Sequence, residues 1–208
     1  MAGKPAFWLL GFGAGTASLV SYGLAFWIPS FLARSYGLEI VDRSLIFASI
    51  LMVGGCAGIW FGGVAGDRLG NVHPRGYALV PAIAFAITLP AYLIAFSIES
   101  LLLSSLMFLI PTALGLAWLG PVVTAITRLV PPEMRATAAA LFLFINNLIG
   151  LGLGTTVIGI ISDALTNRYG DEALRYSAMA TTLLYAPAAL LMLLAALRLK
   201  RDVVPAAS

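Results

Sequence analysis

The chain has 208 residues, 61% of them hydrophobic and only 10% charged, with a formal net charge of +3. A water-soluble domain has about 25% charged and 45–50% apolar residues, so this composition, with a mean hydropathy of +0.99, excludes an ordinary soluble enzyme and a disordered chain. One cysteine cannot form an internal disulfide, and so small a net charge marks no nucleic-acid surface.

Crossing a bilayer core takes about 20 apolar residues in a helix. Runs free of Asp, Glu, Lys, Arg and His predict six transmembrane helices, over 6–33, 44–66, 76–98, 100–127, 136–162 and 176–197. Helices are required because lipid offers no partner to an open backbone group. The runs are too long and too evenly apolar for the alternating strands of a barrel. The first is too long for the apolar region of a signal peptide and reads as a retained helix. Trp8, Trp27, Tyr36, Trp60, Tyr77 and Tyr176 fall near predicted ends, where interfacial aromatics belong. Connections are short, so 1–208 is one membrane domain.

Six crossings put both termini on one side. That side holds Lys4, Arg68, Arg75, Arg128, Arg135, Arg198, Lys200 and Arg201; the other holds Arg34, Arg43, Arg168 and Arg175. Excess Lys and Arg mark the cytoplasmic face. Both termini are therefore expected in the cytoplasm, at a plasma or bacterial inner membrane. Spans one to three and four to six cross in the same alternating sense, which suggests two three-helix repeats.

In the first span, Ser18 and Tyr22 stand one turn apart near mid-depth. The second ends in a ladder, Gly54, Gly58, Gly62 and Gly66, with Gly55 and Gly63 beside it. Four-residue spacing puts the ladder on one helix face, where another backbone can approach closely. Such a face serves tight packing, a moving interface, or both. It runs into Gly63-Val64-Ala65-Gly66-Asp67-Arg68-Leu69-Gly70 and on to Arg75, read as a glycine turn bearing an acid for a helix N-terminus or a cation. In the fourth span, Trp118 precedes a Gly120-Pro121 break. Pro131 and Pro132 suit the first turn of a new helix, with Glu133 near its positive end.

In the fifth span, Asn146 and Asn147 share a stripe with Ala139, Gly150 and Gly154. An amide in hydrocarbon must find a partner: an interhelical hydrogen bond, or a solute in a cavity. No acid, base or histidine lies inside any span, which argues against an ion-coupling site there. No metal site, cofactor or catalytic constellation is expected. His73 is isolated in a connection, Cys56 is a mid-span packing residue, and no serine has a basic partner within a span.

The stretch 63–75 resembles the cytoplasmic signature of the major facilitator superfamily: a glycine, Asp-Arg, a glycine, then basic residues, between helices two and three of each six-helix half. Gly63, Asp67, Arg68 and Gly70 match; Ala65 replaces the usual leucine, and Asn71 and Val72 stand where basic residues are usual. A second resemblance, to the C-terminal half of spinster-like facilitators, rests on Trp118-Leu119-Gly120-Pro121, Arg135-Ala136-Thr137-Ala138, the stretch from Asn146-Asn147 to Gly150, Gly152 and Gly154, and Gly159-Ile160-Ile161-Ser162-Asp163. Gly154-Thr155 departs from a frequent Gly-Pro.

This resemblance implies an all-α membrane protein, half of a major facilitator fold, whose spans correspond to helices seven to twelve. Met1-Ala2-Gly3-Lys4-Pro5 would begin where a central cytoplasmic linker ends. It implies a cytoplasmic gate at Gly63, Asp67, Arg68 and Gly70. The first and fourth helices of each half line the central cavity, which makes Ser18, Tyr22 and Trp118 substrate-cavity candidates beside Asn146 and Asn147. The implied function is transport of a small organic or amphiphilic solute by alternating access; spinster-like relatives move lysolipids and sphingoid lipids. Its partners would be the lipid bilayer, that solute, and a missing N-terminal six-helix half or a second copy, with no nucleic acid. The rival reading is a non-transporting membrane scaffold or an inactive remnant of a transporter.

Overall fold

A computed structural model describes residues 4–202, excepting the side chains of residues 200 and 202; the linker end assigned to Met1-Ala2-Gly3 lies outside the described residues. The described residues form α1 (Pro5–Tyr36), α2 (Ile40–Val72), α3 (Gly76–Ser97), α4 (Leu101–Leu116), α5 (Leu119–Arg128), α6 (Arg135–Tyr169), α7 (Ala173–Thr182) and α8 (Tyr185–Asp202). Single 3-10 turns occupy Pro132–Met134 and Gly170–Glu172. Among the described residues, five stretches are long and apolar enough to cross a membrane, the last being Pro132–Leu199 at 68 residues. As one straight helix it would measure about 100 Å, at 1.5 Å per residue. Instead it turns at Gly170 (φ 55°) and α7 packs back on α6, so it makes two passages.

The helices outrun the charge-free segments. α1 continues through Arg34, α2 through Asp67 and Arg68, and α6 through Asp163 and Arg168. A charge ends burial in lipid but leaves the hydrogen-bond ladder of the helix intact. Local chemistry ends the helices. Gly37, at φ 66°, closes α1 with its N–H donated to the Ala33 carbonyl at 3.0 Å, a left-handed cap. Pro74 follows α2, and Pro131 precedes the turn into α6.

The fourth and sixth passages are each broken in two, at Ala117–Trp118 and Leu183–Leu184. The first break lies upstream of Gly120-Pro121 and not at it. A proline has no N–H to offer the carbonyl four residues back, and its ring crowds that carbonyl. Four residues before Pro121 is Ala117; four before Pro187 is Leu183. At both places the bonding tightens to three-residue turns, Ala117 N–H to Leu114 O and Leu183 N–H to Ala180 O, each 3.2 Å.

Packing follows an internal symmetry. α1 lies against α6 and α8; α4 lies against α2 and α3; α3 meets α8. Exchanging α1, α2 and α3 with α4–α5, α6 and α7–α8 maps this pattern onto itself, as two three-helix repeats require. The core combines alanines, aromatics and larger aliphatic side chains such as Leu10, Leu24, Leu32 and Ile126. Phe96 packs edge-on against both Phe31 and Phe108, with ring centroids 5.0 Å apart in each pair. Met52, Trp60 and Phe61 on α2, and Phe144, Leu148 and Leu151 on α6, point outward.

Candidate solute cavity and cytoplasmic gate

α1 and α6 cross with backbone against backbone. A Cβ on Gly154 would overlap the Leu19 carbonyl, and one on Gly150 would overlap the Tyr22 ring. Gly23, which sequence reasoning passed over, meets Gly154 across the same crossing. This approach brings polar side chains within reach. Ser18 Oγ donates to Asn146 Oδ1 and Tyr22 OH to Asn147 Oδ1, both at 3.0 Å. Asn147 Nδ2 donates to the Leu143 carbonyl, and Trp27 Nε1 to the Thr155 carbonyl, both at 2.9 Å. Ser18 and Asn146 are only 2% exposed and are joined to each other. The buried stripe of α6 runs through Ala138, Phe142, Asn146, Gly150 and Gly154, so it includes Ala138 where Ala139 was expected.

Between α1, α2, α3 and α4 lies a cavity of about 200 Å³. Ser21 and Tyr22 line it from α1, Phe47 from α2, Tyr92 from α3, and Thr112 and Leu116 from α4. Of the five cavity candidates, Tyr22 alone lines this space. Trp118 lies to one side, 3% exposed and edge-on to Phe142, with centroids 6.1 Å apart. Its indole N–H is buried without a hydrogen-bond partner among the described residues. Ser21, Tyr92 and Thr112 escaped the sequence reading. The available signal was a hydroxyl inside a span close to a proline or a break: Thr112 follows Pro111 and stands one turn before the end of α4.

The glycine ladder of α2 faces α4 and α5. The buried residues of α2 are Ile50, Gly54, Gly55, Gly58, Gly62, Gly66 and Gly70. A Cβ on Gly54 would sit 3.1 Å from the Leu109 carbonyl. On Gly58 it would overlap the backbone of Ala113, and on Gly62 that of Ala117; Gly66 accommodates the Pro121 ring.

The gate motif is helical, which corrects its reading as a glycine turn. Gly63, Asp67, Arg68 and Gly70 all lie within α2, and the connection to α3 is only His73–Arg75. Gly70 is needed for close approach, since the Tyr77 ring rests on it. Tyr77 OH donates to Asn71 Oδ1 at 3.1 Å, and Arg128 Nη2 donates to the same oxygen at 3.3 Å. The Arg128 guanidinium also stands 4.6 Å from the Tyr77 ring centroid. Arg128 thus ties the end of α5 to α2 and α3. Asp67 and Arg68 are exposed and form no side-chain hydrogen bond or ion pair among the described residues.

No protein-family model matches the sequence. An MFS-type efflux pump of Mycolicibacterium smegmatis is 33% identical over 202 residues, covering 97% of this chain and 47% of the pump. Protein spinster homolog 1 of Xenopus tropicalis is 32% identical over 176 residues, covering 78% of this chain and 33% of that protein. Among solved structures, a bacterial homologue of the human lysosomal transporter Spinster, inward-facing and occupied, superposes with a TM-score of 0.87 at 27% identity, over 99% of this chain and 52% of its own. Its inward-facing, unoccupied form gives 0.86. The chain therefore spans about half of these two structures and of the pump, and a third of the frog protein. These relatives are transporters and not enzymes. With its apolar helices and this fold, the chain is an integral multi-pass membrane protein, and it belongs to the major facilitator superfamily, with spinster proteins among its relatives.

Proposed function

We propose that this bundle is the C-terminal half of a facilitator-type secondary transporter that moves a small organic or amphiphilic solute by alternating access. The observation that carries the reading is the cavity between α1, α2, α3 and α4, within a bundle that superposes on half of a spinster homologue. Sites in such transporters lie between two bundles that rock about the solute. In this reading Tyr22 faces solute, Ser18 and Asn146 lock α1 to α6, and Gly63, Asp67, Arg68 and Gly70 form the α2 side of a gate. An N-terminal six-helix half, or a second copy, completes the pathway.

Cells carrying the gene with its native upstream sequence, loaded with NBD-labelled lysophosphatidylcholine, are expected to lose the probe faster than cells lacking the gene. Equal loss with and without the gene would favour the scaffold reading.

The side bearing Arg68, Arg75, Arg128, Arg135 and Arg198 is assigned to the cytoplasm, at a plasma or bacterial inner membrane. In a Cys56→Ser background, single cysteines at Ala2 and Ala207, both outside the described residues, are expected to resist impermeant thiol reagents in intact cells and to react after permeabilisation. Labelling of either from outside would overturn this topology.

A further inference from the structure

A groove of about 510 Å³ opens on the surface between the first turns of α1 and the last turns of α8. Pro5, Trp8 and Leu9 form one wall, and Leu194, Leu197 and Arg198 the other. The Trp8 ring, 42% exposed, is braced by a stacked Phe12 with centroids 6.0 Å apart. Ser21, where the lining of the central cavity begins, is 12 residues beyond Leu9 along α1, about 18 Å at 1.5 Å per residue, so the groove is a separate place. Four basic residues stand at its end, Lys4, Arg198, Lys200 and Arg201, against one acid, Asp202. The first turn of α1 carries no acid, and no carboxylate lines the groove. Arg198 and Arg201 are exposed, and three residues apart on one helix they share a face. Neither pairs with a carboxylate among the described residues.

Tryptophan and basic residues at the end of apolar helices mark the level of the lipid headgroups. Any groove facing lipid takes acyl chains, so its rim decides which headgroup sits above it. A basic rim attracts a phosphate whose charge is not balanced within its own headgroup, and guanidinium groups bind that phosphate with charge-assisted hydrogen bonds. A zwitterionic lipid brings its own cation and gains less. We propose that this groove binds an anionic phospholipid, with one acyl chain along Trp8, Leu9, Leu194 and Leu197 and the phosphate on Arg198 and Arg201. The lipid clamps the start of α1 to the end of α8. This site goes beyond the transport reading and does not depend on it, because the lipid is held as a component of the bundle and not as a solute in its cavity.

The test uses the purified, delipidated full chain in detergent. It is titrated with dioleoylphosphatidylglycerol, with dioleoylphosphatidylcholine, which has the same chains under a zwitterionic head, and with glycerol 3-phosphate, a head without chains. A ligand that binds the folded state raises the melting temperature with its concentration, and native mass spectrometry counts what stays bound. Phosphatidylglycerol is expected to raise melting and to be retained, phosphatidylcholine to do both less, and glycerol 3-phosphate to do neither. Arg198→Gln and Arg201→Gln should each weaken phosphatidylglycerol binding roughly fivefold, the worth of one basic residue at an anionic lipid surface. Arg34→Gln, exposed at the other end of α1, should leave it unchanged. Leu194→Trp, which crowds the groove from an exposed position, should weaken both lipids, and Leu197→Trp is a second such variant should the first not fold. An equal response to the two lipids, unchanged affinity in both arginine variants, or an equal loss in Arg34→Gln would overturn the site. So would a response to glycerol 3-phosphate that matches the lipid's, or a dimer mass that persists without lipid, which would give the groove to a second copy. Failure of phosphatidylglycerol to bind, with NBD-lysophosphatidylcholine efflux intact, would sink the site and spare the transport reading; binding without efflux would do the reverse.

Discussion

Gly58→Leu and Gly62→Leu are each expected to lower the melting temperature of the purified protein sharply, or to prevent recovery of a folded bundle. A leucine in a well-packed core ordinarily forces shifts worth about 1–3 kcal/mol. Here the obstacle is main chain. A Cβ on Gly58 overlaps Ala113, and one on Gly62 overlaps Ala117, so no side-chain rotation relieves either clash. The whole α2–α4 contact must open, and the loss should reach the top of that range, about 3 kcal/mol or more. Gly63→Leu is the matched control: it lies one residue along the same helix, with nothing within 4 Å of its Cβ position. Its higher helix propensity leaves stability level or slightly raised. Wild-type melting for both Gly58→Leu and Gly62→Leu would mean that the ladder does not pack on α4. Equal losses at all three positions would point to a general effect of leucine in α2.

The ladder was legible because four-residue spacing on a helix has one geometric meaning, and its partner was not, because nothing in 54–66 points to Ala113 or Ala117. The membrane passages were legible for a similar reason: charge-free runs report the bilayer core directly. Their ends were not, since helices such as α2 and α6 continue through interfacial charges until a glycine or proline stops them. The two breaks show the limit of local reading. Pro121 and Pro187 interrupt their helices four residues upstream, while Pro29, Pro81, Pro90 and Pro111 sit inside unbroken ones. Packing around each proline decides this, and the sequence does not state it. Asn146 and Asn147 were recognisable as amides needing partners, but their pairing with Ser18 and Tyr22 arises only where Gly23 and Gly154 let two helices cross. The pairing of the Ser21 and Tyr185 hydroxyls, 2.8 Å apart, is still less local, since it joins α1 to α8.

The gate assignment makes its sharpest claim at Asp67. α2 runs five residues beyond it, so this acid lies toward the helix's negative end, where the dipole does not favour it. The nearby cationic tie is already made, with Arg128 held by Asn71 and Tyr77. In the proposed gate, Asp67 takes its partner from outside this bundle, as a cation or a helix N-terminus of the proposed second half when the cytoplasmic side closes. Asp67→Asn keeps shape and removes charge. A charge–dipole contact of this kind is worth about 0.3–2 kcal/mol, which shifts a two-state equilibrium by roughly 2- to 30-fold. Efflux should fall, cysteine access should move toward the cytoplasm-open state, and melting of the bundle should stay at the wild-type value, because nothing within the half is lost. Arg128→Gln should behave oppositely in the melt, lowering it as the tie among α2, α3 and α5 weakens. Asp171→Asn, exposed at the far end of the bundle, is the charge-matched control and should change neither property. If Asp67→Asn transports like wild type with access unmoved, the acid is a surface charge near a topogenic connection and the gate lies elsewhere.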